Sequence, residues 1–133
     1  MMQEKLIKAA KQARKSAYAP YSNFKVGAAL LTTSGEIFTG SNIENAAYPV
    51  TCCAERVAIF KAISEGFSDF EAIAVVADTK EAVSPCGSCR QVMSEFFQKH
   101  TSIFLSNLQD RTITLTMEEL LPYSFHKENL IDK

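Results

Sequence analysis

Apolar residues Leu6, Ala10, Ala13 and Ala17 recur at three- and four-residue spacing between Met2 and Ala19, with five basic residues turned the other way. That period predicts an amphipathic helix ending before Pro20, its charged stems on a solvated face. Lys25–Leu31 and Glu36–Ser41 flank Thr33, Ser34 and Gly35, which predicts a hairpin. Val57, Ala58, Phe60, Lys61 and Ala62 continue a helical pattern across about 51–65, with Gly66 as a natural stop. The run Ala72–Ala77 reads as a strand buried on both faces. Ser84 and Pro85 are a helix start, and Cys86, Cys89, Met93, Phe96 and Phe97 then lie along one side. Strands over Ser102–Leu105 and Thr112–Leu115 and a short helix over Met117–Leu121 complete the pattern. The alternation of helices and strands predicts an α/β fold, a mixed sheet with helices on both faces.

The chain has 133 residues, 47% of them apolar, enough for one domain spanning residues 1–133 that buries roughly two-thirds of its unfolded surface. The net charge of −1 leaves no surplus for holding a nucleic-acid backbone. The longest apolar runs, Val26–Leu31 and Ala72–Ala77, are far short of the ~20 residues of a membrane-spanning helix. Neither nucleic acid nor a membrane is expected as a partner. Charges at Glu4, Lys5, Lys8 and Lys11 occupy the place where a secretory signal would be apolar, so a cytoplasmic location is expected.

Four cysteines without a secretory signal are better read as ligands or catalysts than as disulfides. Cys53 begins one predicted helix, and Cys86 and Cys89 begin another. Helix N-termini stabilise thiolates, the form that binds metal. Cys86 and Cys89 share one helix face, and Cys53 can complete a three-sulfur cluster. Three thiolates leave open the fourth position of a tetrahedral zinc, the arrangement of a catalytic site. Cys52 is the alternative to Cys53. Neighbouring helical residues diverge by about 100°, so one zinc does not take both, and Cys52 is read as a buried apolar residue. Glu55 lies two residues beyond Cys53, where a carboxylate can take a proton from water and pass it on. In isolation it would read as a glutamate that favours the helix dipole.

CxE followed by PCxxC resembles the pattern of zinc-dependent deaminases. The likeness extends through Tyr18-Ala-Pro-Tyr-Ser, Phe24-Lys-Val-Gly-Ala-Ala-Leu, Asn42-Ile-Glu-Asn-Ala-Ala-Tyr, Cys53-Ala-Glu-Arg and Pro85-Cys-Gly-Ser-Cys-Arg-Gln. These blocks, in this order, are similar to the small homotetrameric cytidine deaminases. The resemblance implies a three-layer αβα sandwich around a mixed sheet of about five strands. It implies one Zn2+ per subunit on Cys53, Cys86 and Cys89, with Glu55 as the catalytic proton shuttle. Cytidine and 2′-deoxycytidine would be deaminated at C4 of the base to uridine and 2′-deoxyuridine plus ammonia, in pyrimidine salvage. Asn42 and Glu44 are assigned to the ribose and Phe24 to the face of the pyrimidine. Backbone groups near Ala54 and Ser84 read the base edge, and Phe125 reaches a neighbouring subunit's site. Arg56, assisted by Gln91, withdraws charge from the thiolates, which otherwise outweigh the two positive charges of zinc. Neither His100 nor His126 is near a ligand motif.

Several other readings compete. CxxC at a helix start fits a thiol oxidoreductase, but leaves the spacing of Cys53 and Glu55 unexplained. A non-enzymatic zinc module fits the adjacent Cys52 and Cys53 poorly. Deamination of a nucleic-acid strand is disfavoured by the neutral charge, and of a nucleoside antibiotic by the Asn42 and Glu44 pair.

Overall fold

A computed structural model describes residues 2–82 and 85–121 of the chain. Ser84, Phe125 and His126, named above, lie outside the described residues.

The elements run α1 (Met2–Arg14), β1 (Val26–Thr32), β2 (Ile37–Ser41), α2 (Ala54–Ser64), β3 (Phe70–Ala77), α3 (Gly87–Phe96), β4 (Ser102–Asn107), β5 (Ile113–Thr116) and α4 (Met117–Leu120). The strands form one mixed sheet in the order β2-β1-β3-β4-β5. β1 is antiparallel to both β2 and β3, β3 is parallel to β4, and β5 returns antiparallel along β4. The parallel pair needs a crossover, and α3 provides it.

β3 is buried along almost its whole length. Because side chains alternate across a strand, its two faces feed two separate cores. Ile73 and Val75 join Leu30, Ile103, Leu105 and the inner faces of α2, α3 and α4 on one side. Ala72, Ala74 and Val76 join Leu6, Ile7 and Ala10 of α1 on the other. The result is the expected three-layer αβα sandwich. Small residues let the helices sit close. A Cβ on Gly27 would come within 2.0 Å of the Ala10 carbonyl oxygen, and one on Gly40 within 2.6 Å of the Ala54 carbonyl oxygen and the Ala58 nitrogen. Gly40 therefore lets the first turn of α2 rest on β2.

Two helices are shorter than their apolar period predicts. α1 stops at Arg14 rather than Ala19 because the chain beyond it is drawn into extended pairing: the Tyr18 N–H donates to the Asn42 carbonyl and the Glu44 N–H to the Tyr18 carbonyl. α2 begins at Ala54 rather than near Thr51, since Cys52 and Ile43 exchange both backbone hydrogen bonds at 2.9 Å. At its other end Gly66, with φ of 95°, ends α2 as expected.

Candidate metal centre and active site

The cysteines meet where two helices begin. Cys53 is the N-cap of α2 and Cys86 the N-cap of α3, both with extended backbone. The sequence suggested Ser84 as the cap of α3. Instead the Cys86 sulfur itself accepts the Cys89 N–H, at 3.5 Å. Helix rotation brings Cys89 back over Cys86, with the two Sγ atoms 3.3 Å apart, and Cys53 Sγ lies 3.9 Å from Cys86 Sγ. All three sulfurs lie within 4.8 Å of one another. Tetrahedral Zn–S bonds of about 2.3 Å place sulfurs about 3.8 Å apart, so the trio fits one zinc once its sulfurs adjust by up to about 1 Å. Soft sulfur donors favour zinc over the oxygen-seeking cations.

The local field favours the thiolate at Cys53. The Cys53 thiol is pulled down to about 5 by the hydrogen bond from Cys89 and by the Arg56 guanidinium. Cys89, the donor in that pair, is pushed upward by the same hydrogen bond and by burial. Arg56 donates through Nη2 to Cys53 Sγ at 3.6 Å and to the Thr51 carbonyl at 3.2 Å. The arginine is therefore placed against a sulfur. Gln91 is half-buried on α3, two residues past Cys89.

Glu55, on the first turn of α2, is only 4% exposed. Burial pushes its carboxyl up to about 7, and the neighbouring Cys53 charge adds to the rise. Its hydrogen bond with Cys89 works in the opposite direction and places it against the sulfur cluster. A carboxyl with this affinity holds or releases a proton near neutral pH, as a proton shuttle requires.

The pairing of Ile43 with Cys52 sorts the flanking side chains. Those two share one face and line a groove with Phe38, Val57, Phe60 and Lys61. By strand alternation Asn42, Glu44 and Cys53 project to the other face. Cys52 thus points away from the metal cluster, as expected, but it is half-buried in an open groove and not in the core. Asn42 is buried, its amide donating to the Phe24 carbonyl at 2.8 Å and its Oδ1 accepting the Val26 N–H at 2.9 Å. Glu44 is held below the usual carboxylate range, chiefly by the Ser22 hydroxyl. Phe24 is 41% exposed, so its ring is open to a ligand. Ala54 is fully buried at the first position of α2, among the N–H groups that a helix leaves without internal partners. His100 is exposed in a turn, away from the cluster.

Nothing in the apolar pattern pointed to Gly40 or Ser22. Gly40 breaks a strand pattern, and an isolated strand glycine is the one available sign of close backbone approach. Ser22 carried no signal beyond its place in the Tyr18–Ser22 block.

An αβα sandwich with three thiols converging at two helix N-termini beside a buried glutamate defines a class, the zinc-binding deaminase fold. A family model described as the cytidine and deoxycytidylate deaminase zinc-binding region matches residues 1–105. The chain belongs to this family. It is 55% identical over 132 residues to a cytidine deaminase of Halalkalibacterium halodurans, covering 99% of this chain and all of that one. The crystal structure of a cytidine deaminase from Burkholderia pseudomallei superimposes with a TM-score of 0.91 at 49% identity, covering 94% of this chain and all of that one. A blasticidin-S deaminase from Bacillus cereus is 35% identical over 108 residues, 75% of this chain and 76% of that one.

Proposed function

We propose that this protein hydrolyses cytidine and 2′-deoxycytidine to uridine and 2′-deoxyuridine, releasing ammonia. The observation that carries the reading is the convergence of Cys53, Cys86 and Cys89 beside the buried Glu55. Cys53, Cys86 and Cys89 would hold a zinc ion, which would supply Lewis acidity toward the attacking water. Glu55 takes a proton from that water and delivers it to N3 of the pyrimidine, which makes C4 electrophilic. After attack at C4 the same carboxylate moves the second proton to the amino group, which departs as ammonia while the C4 carbonyl forms. One water is consumed and one ammonia released, and Glu55 ends as it began. Arg56 draws charge from Cys53, with Gln91 assisting, and so limits how far the thiolates quench the metal.

Asn42 and Glu44 grip the sugar, Phe24 covers one face of the base, and the N–H groups near Ala54 read its edge. Phe125 would complete the site of a neighbouring subunit. A homotetramer with shared sites is supported by the exposed apolar surface at Tyr18, Ile43, Tyr48 and Val50, with Tyr48 84% exposed. Four free cysteines are in keeping with a reducing cytoplasm, and the proposed reaction fits pyrimidine salvage. Residues 1–133 act as one catalytic domain.

The likeness to a blasticidin-S deaminase gives a second reading, another cytosine nucleoside as substrate. Turnover of cytidine, 2′-deoxycytidine, blasticidin S and a cytosine-containing single strand, followed by ultraviolet absorbance, separates the two. The first two should react and the strand should not. Turnover of blasticidin S without cytidine would replace the proposed substrate while keeping the chemistry.

A further inference from the structure

Ser22 sits between two of the groups assigned to the substrate, and its hydroxyl is engaged on both sides. It donates to Glu44 Oε2 and accepts the Phe24 N–H at 3.0 Å. Glu44 Oε1 accepts the Tyr21 N–H at 3.0 Å and the Ser22 N–H at 3.1 Å, which occupies both of its lone pairs. Only the second lone pair of Oε2 is left for a ligand hydroxyl, and its direction is set by the bond from Ser22. The Phe24 peptide is fixed from both ends, its N–H on Ser22 and its carbonyl on the Asn42 amide. Yet Ser22 is exposed, so the core does not need it.

We propose that Ser22 is a positioning residue that couples the sugar-gripping carboxylate of Glu44 to the base-covering ring of Phe24. The assignment rests on the deaminase reading above. Ser22 is not part of the thiol cluster, and its hydroxyl is taken up by Glu44 and the Phe24 N–H. It removes freedom from a half-buried carboxylate and an exposed ring before substrate arrives, so its effect falls on binding and not on the chemical step. A threonine retains the hydroxyl, whereas an alanine leaves both partners unbridged.

The test measures kcat and KM for cytidine in the zinc-loaded full chain, for wild type, Ser22→Ala, Ser22→Thr, Glu44→Gln and the double variant Ser22→Ala/Glu44→Gln. Ser22→Ala should raise KM about tenfold with kcat within about twofold. Zinc content should be unchanged and Ser22→Thr should recover most of the loss. On the Glu44→Gln background, Ser22→Ala should cost clearly less than it does alone. An unchanged KM in Ser22→Ala, a loss confined to kcat, failure of threonine to rescue, or full additivity in the cycle would each overturn the assignment. A wild type inactive on cytidine would instead remove the deaminase reading and this assignment with it, so the two failures are distinguishable.

Discussion

Two glutamates carry opposite shifts for different physical reasons. Glu55 is buried and raised to about 7 from an ordinary value of 4.5. A raised carboxyl contributes its stability below the unfolded value and loses it as pH climbs through the folded one, so Glu55 costs stability between 4.5 and about 7 and above. Glu55→Gln should therefore leave the melting temperature at neutral pH equal to or above that of wild type, which differential scanning calorimetry measures. A lowered melting temperature would mean that the carboxylate stabilises the fold. Glu44 is shifted the other way, below 4.5, by the Ser22 hydroxyl. The order it gives the 18–24 segment is complete above that ordinary value and is lost as pH falls through the lower folded one. The Glu44 contribution to binding of an unreactive cytidine analogue should accordingly be constant near neutral pH and be lost only in acid. Isothermal titration of wild type against Glu44→Gln isolates that contribution. Much of this residue-level chemistry was legible in the chain. Cys53, Glu55, Cys86 and Cys89 were set by spacing and by their positions at helix starts. Ser22 was not, because its partners lie at 24 and 44 and only the folded chain brings them together.

At the scale of elements, the hydrophobic period located the four α-helices and five strands of the described residues but not their ends, and it missed the single 3-10 turn over Tyr48–Val50. Period measures which face is buried and says nothing about where extended pairing pre-empts a turn of helix. Tyr18 and Cys52 both pair with the Ile43 segment, and these contacts, distant in sequence, trimmed α1 and α2. Trimming α2 is what makes Cys53 an N-cap, with its sulfur at the helix mouth. The close seating of α2 on β2 also has one fragile point. A Cβ at Gly40 meets backbone atoms of Ala54 and Ala58, which cannot rotate away. Gly40→Ala should destabilise by about 1–3 kcal/mol or more. It should also weaken zinc retention, because it displaces the turn that carries Cys53 and Glu55. Thermal melts with metal analysis check both, and normal zinc affinity in a destabilised variant would separate packing from the site.

Across the whole molecule, a mixed sheet with helices on both faces followed from the order of elements, and the burial of β3 on two sides accounts for it. Assembly into subunits leaves no such trace in the order of elements, since only the folded chain decides that Tyr18 and Tyr48 stay exposed and so available to a second subunit. Net charge is another property of the whole. At −1 it provides no steering field for a polyanion, and a neutral nucleoside needs none. The KM for cytidine should therefore change by less than about twofold when salt is raised tenfold, whereas a strand-binding site would lose orders of magnitude in affinity. One fold brings three thiols and a buried glutamate together, and the deamination of a nucleoside follows from that meeting. Its most direct test is steady-state conversion of cytidine to uridine by zinc-loaded wild type and Glu55→Gln side by side. Turnover is expected in wild type, with a loss of about 10²–10⁴-fold in the variant at equal zinc content. Equal rates in the two proteins, or no uridine from fully zinc-loaded wild type, would contradict it.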